Sequence, residues 1–224
     1  MTTTHTSSLT VEPVAGALGA TVTGLDLTQV TTSEQLEGLR RALAEHLVVF
    51  LPGQELSLDD LERVTELLGG RDVTPFVDPL EDRPFVIRVI KEPDDALNFA
   101  NAWHSDLSYL PAPPAYTLLH AWDVPDHGGD TVWSNQYLAY ETLSAGLRAT
   151  LRGLQGVHSA GMAYGTGGLL DQVKDFTSMA IAVICSSLST EQGPAITSKL
   201  PPPMELPRTV ITVSSGWNLR PASL

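Results

Sequence analysis

The sequence predicts a mixed α+β domain built on an antiparallel sheet pair, with helices at its start and in one insertion. Apolar residues recur at helical spacing in a few stretches only. Short alternating or β-branched runs arrive in succession between them, and glycine or proline closes most of those runs.

Taken in order, Val11 to Leu27 alternates loosely and is punctuated by Gly16, Gly19 and Gly24, the pattern of a hairpin. Ser33 to His46 fits a helix, with Leu36, Leu39, Leu43 and Leu47 on one face and Thr32 and Gln35 spaced as a capping box. Leu47 to Leu51 is a buried strand stopped by Pro52-Gly53. A second helix starts after Ser57, with Asp60 three residues on. It buries Leu58, Leu61, Val64 and Leu68 and ends at Gly69-Gly70. Strands are expected over Phe85–Ile90 and Tyr116–Val124, the latter with Tyr116, Leu118, His120, Trp122 and Val124 on one face. A further helix is expected from about Tyr137 to Leu154. Residues 1–8 read as a disordered N-terminus and 9–176 as the folded domain. Residues 177–224, rich in Ser, Thr and Pro and containing Pro201-Pro202-Pro203, read as an irregular tail.

Composition narrows the function. A chain of 224 residues can bury one sizeable core, and a net charge of −13 argues against nucleic acid or an anionic membrane as partner. No apolar run approaches a membrane span, and the N-terminus lacks a signal-peptide layout. Cys185 is the sole cysteine, so no internal disulfide can form and a reducing cytoplasm is the expected setting.

Chemistry concentrates in Asn101-Ala102-Trp103-His104-Ser105-Asp106. On a strand, His104 and Asp106 would point the same way, bringing one imidazole and one carboxylate together. That is two-thirds of the 2-His-1-carboxylate triad that holds non-heme Fe(II) and leaves positions open for oxygen and substrate. An exposed polar pair on a strand is the plainer reading of the same two residues.

Further motifs follow in short order: Pro113-Pro114, Gly128-Gly129-Asp130-Thr131-Val132-Trp133, and Ala139-Tyr140-Glu141-Thr142-Leu143-Ser144. Together with the Gly19/Gly24 hairpin and the Val48–Gln54 strand and turn, they make residues 9–160 resemble the taurine dioxygenase-like family of Fe(II)/2-oxoglutarate-dependent dioxygenases. The resemblance implies a double-stranded β-helix (jelly-roll) core with flanking helices. It implies hydroxylation of a small organic substrate with O2, giving succinate and CO2. It assigns His104 and Asp106 as catalytic metal ligands for Fe(2+) and Thr131 as the hydroxyl that contacts 2-oxoglutarate. Asn98 and Asn101 both lie near the place of a substrate-touching asparagine without falling on it, and Asn101 is the candidate substrate contact. A carboxylate at Asp106 fills a coordination position, which favours hydroxylation over halogenation.

The family also requires a distal His and, about ten residues later, an Arg that clamps the far carboxylate of 2-oxoglutarate. In this sequence no His follows His158, and the arginines after it are Arg208 and Arg220. The expectation is therefore a jelly roll incomplete at its C-terminus, with a catalytically incompetent fragment as the competing reading. An incomplete core would favour association as a homo-oligomer. His120 reads as a core histidine, His127 as a loop residue and His158 as a surface or capping side chain. Trp103 and Trp133 are expected to pack the core around the site.

Overall fold

The computed structural model describes residues 4–6, 9–29, 31–90, 103–110, 112–124, 130–152, 154, 156, 158–160 and 209–213, with backbone alone at 4–6 and 209–213. Strands β1 (Thr4–Thr6), β2 (Leu9–Pro13), β3 (Ala20–Thr23), β4 (Val48–Leu51), β7 (Tyr116–His120) and β8 (Thr209–Val213) form one sheet in the order β1-β2-β3-β4-β8-β7. Strands β5 (Pro79–Leu80) and β6 (Arg83–Ile87) form a separate antiparallel hairpin.

The β2–β3 hairpin forms where the glycines predicted it. Val14 N–H donates to Gly19 O at 3.0 Å, and Gly19 takes φ +94°, a conformation that a side chain disfavours. Helix α1 (Ser33–His46) then carries the chain to β4, which pairs parallel with β3, so β3-α1-β4 is a crossover unit. Both parts of the expected capping box are made at Thr32 and Gln35. Helix α2 (Leu58–Leu68) starts in the same way, on Ser57 and Asp60. Arg40 of α1 donates to the carbonyls of Leu67 and Leu68, satisfying the last turn of α2.

Each face of the sheet has its own core. Leu39, Ala42 and Leu43 of α1 and Val64 and Leu68 of α2 pack on Leu9, Val11, Val22, Val49 and Leu51, with Tyr116 and Leu118 at the margin. Leu18, Val48, Phe50, Leu119 and Trp133 pack on the opposite face. Strand alternation produces this partition: Val49 and Leu118 share one row through Ile211, and Phe50 and Leu119 share the next through Val210. Buried Gln54 ties down the chain between β3 and α1, accepting from Leu27 N–H and donating to Leu25 O, both at 2.8 Å.

Several expectations shift. The Phe85–Ile90 strand instead begins two residues earlier and ends three earlier, at Arg83–Ile87. The Tyr116–Val124 strand ends at His120, leaving Trp122 and Val124 exposed. The expected helix from Tyr137 to Leu154 is two, α3 (Gln136–Glu141) and α4 (Ala145–Leu151), because Ser144 caps a fresh start by accepting from Leu147 N–H. The segment expected to be irregular contributes β8, antiparallel to both β4 and β7. Its sequence, Thr-Val-Ile-Thr-Val, is β-branched throughout, a local preference that the tail's overall composition concealed. Thr4–Thr6, within the segment expected to be disordered, pairs antiparallel with Leu9–Val11, because unpaired β2 backbone offers it an edge. Among the described residues the fold is therefore α+β, a mixed sheet with α1 and α2 on one face.

Candidate metal site

The segment Trp103–Leu110 that carries His104 and Asp106 pairs with no strand among the described residues. It is not the expected strand. Instead, the chain turns at Leu107, whose φ is +46°, and Leu110 N–H closes the turn on Leu107 O at 2.9 Å. The pairing of the two side chains survives. His104 Nε2 lies 3.4 Å from Asp106 Oδ1, with the histidine half-exposed and the carboxylate only 5% exposed.

One partner of the pair escaped the sequence reading. Thr117 Oγ1 donates to Asp106 Oδ2 at 3.2 Å, fixing one carboxylate oxygen while the other faces the imidazole. Thr117 has the opposite parity to the apolar set Tyr116, Leu118 and His120. A hydroxyl on that face of β7 was the available signal. The same alternation turns His120 away from the pair, and it stands instead edge-on to Trp122 with ring centroids 6.0 Å apart. His158 contacts the same segment. Its Nδ1 lies 2.9 Å from Ser108 Oγ, two residues beyond Asp106. Among the described residues, no group of three His, Cys, Asp or Glu side chains converges tightly enough to hold a metal.

Burial pushes the Asp106 carboxyl up to about 7, against the smaller opposing effects of His104 and the Thr117 hydroxyl. A buried carboxylate held beside an imidazole, with little else to balance its charge, is suited to a cation. Two ligands about 2.0–2.2 Å from one ion and at right angles would stand about 3 Å apart, close to the spacing seen. The donor set thus fits a divalent transition metal as far as it goes.

Thr131 is half-buried between exposed Asp130 and Val132. Two residues on, Trp133 is buried edge-on against Phe50 with centroids 5.7 Å apart, on the sheet face that also carries Thr117 and Leu119. Its indole Nε1 has no hydrogen-bond partner among the described residues. Asn135 completes the anchorage, donating to Ala17 O at 2.6 Å and accepting from Leu138 N–H at the start of α3. Trp133 thus packs as expected. Trp103 does not, being about half exposed beside the pair. Asn101, His127, Gly128 and Gly129 lie outside the described residues.

The model of the taurine catabolism dioxygenase TauD, TfdA family matches residues 10–206. The chain belongs to the TauD/TfdA family. That match extends past residue 160, where the motifs end. An alpha-ketoglutarate-dependent sulfate ester dioxygenase of Pseudomonas putida is 35% identical over 158 residues, covering 69% of this chain and 51% of the relative. A crystal structure of a taurine dioxygenase from Burkholderia xenovorans superposes with a TM-score of 0.58 at 32% identity, covering 66% of this chain and 53% of that one. The crystal structure of AAD-2 in complex with Mn(II) and N-oxalylglycine aligns over 96% of this chain and 88% of its own, with a TM-score of 0.62. At 18% identity that likeness is one of fold alone. This TauD/TfdA member spans about half the length of the curated relatives it matches.

Proposed function

We propose that this chain carries the metal-binding part of an Fe(II)- and 2-oxoglutarate-dependent dioxygenase that hydroxylates a small organic substrate, releasing succinate and CO2. One observation carries the reading: in a chain of this family, His104 and the buried Asp106 converge to 3.4 Å beside a half-buried anchor, Thr117. In this reading the sheet is the first part of a jelly-roll core. Fe(II), held by His104 and Asp106, would activate O2, the oxidant, with 2-oxoglutarate supplying two of the electrons as it is converted to succinate and CO2 and the substrate C–H bond supplying the other two.

The chain's own residues position and shield. Thr117 holds Asp106 in one orientation, so that its free oxygen and the His104 nitrogen present two adjacent donors. Thr131 donates its hydroxyl to a 2-oxoglutarate carboxylate, and Trp133, wedged on Phe50, fixes the segment that carries it. Asn101 contacts the substrate. The relatives' printed activities on sulfate esters and sulfonates make a small organic anion the substrate class to try first.

The test is succinate release from 2-oxoglutarate under Fe(II) and O2, with and without an alkyl sulfate, in the native protein and in His104→Ala. Substrate-dependent succinate that vanishes in the variant supports the reading. A competing reading, a binding-only member of the family, is favoured by the absence of a third convergent ligand among the described residues. Tight Mn(II) binding that requires His104, without any succinate, would decide for it. Metal binding that ignores His104 would refute both.

A further inference from the structure

A cavity of about 310 Å³ lies along the outer edge of β7, where the six-stranded sheet ends. Helix α2 and residues 69–74 wall one side, and β6 and its continuation to Arg88 wall the other. Leu107 and Thr117 also line it, so it begins within one residue of Asp106. Most of its wall is apolar or aromatic, with Leu61, Leu80, Phe85, Leu118 and Trp122 prominent. Its volume falls in the range of small-ligand sites.

The charged groups in the wall are not equivalent. Glu62 accepts from Arg71 at 3.1 Å and lies 3.5 Å from Arg83. Arg71 also pairs with Glu66 at 3.0 Å and lies over the Phe85 ring at 4.9 Å. Asp72 accepts from Val73 N–H at 2.8 Å. Arg88 is different. The other half-buried arginines, Arg40, Arg63, Arg83 and Arg148, each bind a carbonyl or carboxylate. Among the described residues Arg88 alone of this half-buried set has no hydrogen-bond or ion-pair partner. A guanidinium carries five donors in a fixed fork, and holding it partly out of water unpaired is unfavourable unless something fills that fork.

We propose that Arg88 is the anchor of this cavity for a small amphiphilic monoanion, whose charged head meets the guanidinium while its apolar body lies between Phe85 and Trp122. Sulfate, sulfonate and carboxylate heads share the required chemistry, a planar or tetrahedral set of oxygens that accepts a bidentate contact. The binding stands on the cavity and Arg88 alone. That the bound anion is the substrate rests on the function proposed above, since the cavity opens beside Leu107 and Thr117. Arg88 is then a specificity-determining residue of the reaction.

Calorimetric titration of the full chain without added metal separates the two claims. Hexyl sulfate, hexanoate and hexanol are titrated into the native protein, Arg88→Gln and Arg88→Lys. Both anions are expected to bind the native protein, and hexanol at least about tenfold more weakly, the difference a charge-assisted bidentate contact supplies. Arg88→Gln should lose that preference and bind anion and alcohol alike, while Arg88→Lys should retain part of it. The ratio of hexyl sulfate to hexanoate affinity identifies the preferred head. A Mn(II) titration of Arg88→Gln matching that of the native protein would confirm that the metal pair is untouched. Anion binding unchanged in Arg88→Gln, or no preference for anions in the native protein, would overturn the proposal. Failure of the succinate assay with anion binding intact would instead count against the dioxygenase reading.

Discussion

At the residue scale the molecule turns on the carboxylate of Asp106. It is buried, it touches His104 and Thr117, and its ordinary value of 3.8 rises to about 7 in the metal-free protein. Between about pH 4 and pH 7 the folded state therefore holds a proton that the unfolded chain has released. The folded state binds more protons across that window, so the contribution of Asp106 to stability falls as the pH rises through it. Asp106→Asn removes the titration while keeping an acceptor for Thr117. In metal-free protein its melting temperature should match the native value near pH 4 and exceed it near pH 8, as scanning calorimetry will show. Equal melting temperatures at both ends would mean that burial does not penalise the charge. With metal present the order reverses: His104→Ala and Asp106→Asn should each weaken Mn(II) binding by about tenfold or more, the scale at which supporting and ligating groups act. Thr117→Val leaves one Asp106 oxygen without its donor. It should lower stability by about 1–3 kcal/mol at neutral pH, the usual cost of an orphaned buried polar atom, read by urea denaturation.

At the scale of elements, local chemistry sets the boundaries. Thr32 and Ser57 each accept from a backbone N–H and are answered by Gln35 and Asp60, which is why both helices start where the sequence places them. Thr32→Ala and Ser57→Ala should each cost about 1 kcal/mol. The β2–β3 hairpin is more demanding. An added Cβ at Gly19 would lie 2.8 Å from Val14 Cγ2, in a backbone conformation already unfavourable for a side chain. Gly19→Ala should therefore destabilise by more than either cap removal, and a denaturation midpoint no lower than theirs would contradict this. The misplaced boundaries have equally local causes. Ser144 restarts a helix that apolar spacing alone would continue, and β7 stops at His120 before Trp122 emerges on the surface.

On the scale of the whole molecule, β8 is the element that joins distant parts of the chain. It pairs with β4 on one side and β7 on the other, and so connects the helix-backed half of the sheet to the strand that bears Thr117. Removal of residues 207–224 leaves β4 and β7 without their shared neighbour. The shortened protein should melt lower by more than about 5 °C, roughly 2 kcal/mol for a domain of this size, and should bind Mn(II) more weakly. An unchanged melting curve would show that β8 adds nothing to the sheet.

The sequence by itself determined the two helices and their caps, the first hairpin, the buried strand at Val48–Leu51 and the family, because each is written in neighbouring residues: apolar spacing, a capping pair, a glycine turn, a motif string. It also named His104 and Asp106 as a pair, since two residues separated by one other are close in space in many backbone conformations. It named the wrong conformation for them, a strand instead of a turn at Leu107, and it overlooked Thr117, His158 beside Ser108 and the open fork of Arg88. The first two are contacts between residues 11 and 50 positions apart, and the third is a group that the surrounding packing leaves open. Thr117 reaches Asp106 because β7 takes its place in the sheet, and β8 finds its slot between β4 and β7 through backbone pairing that any β-branched run could offer. Only the tertiary structure decides such pairings, because they depend on which surfaces the packed core brings together and not on the residues next in line.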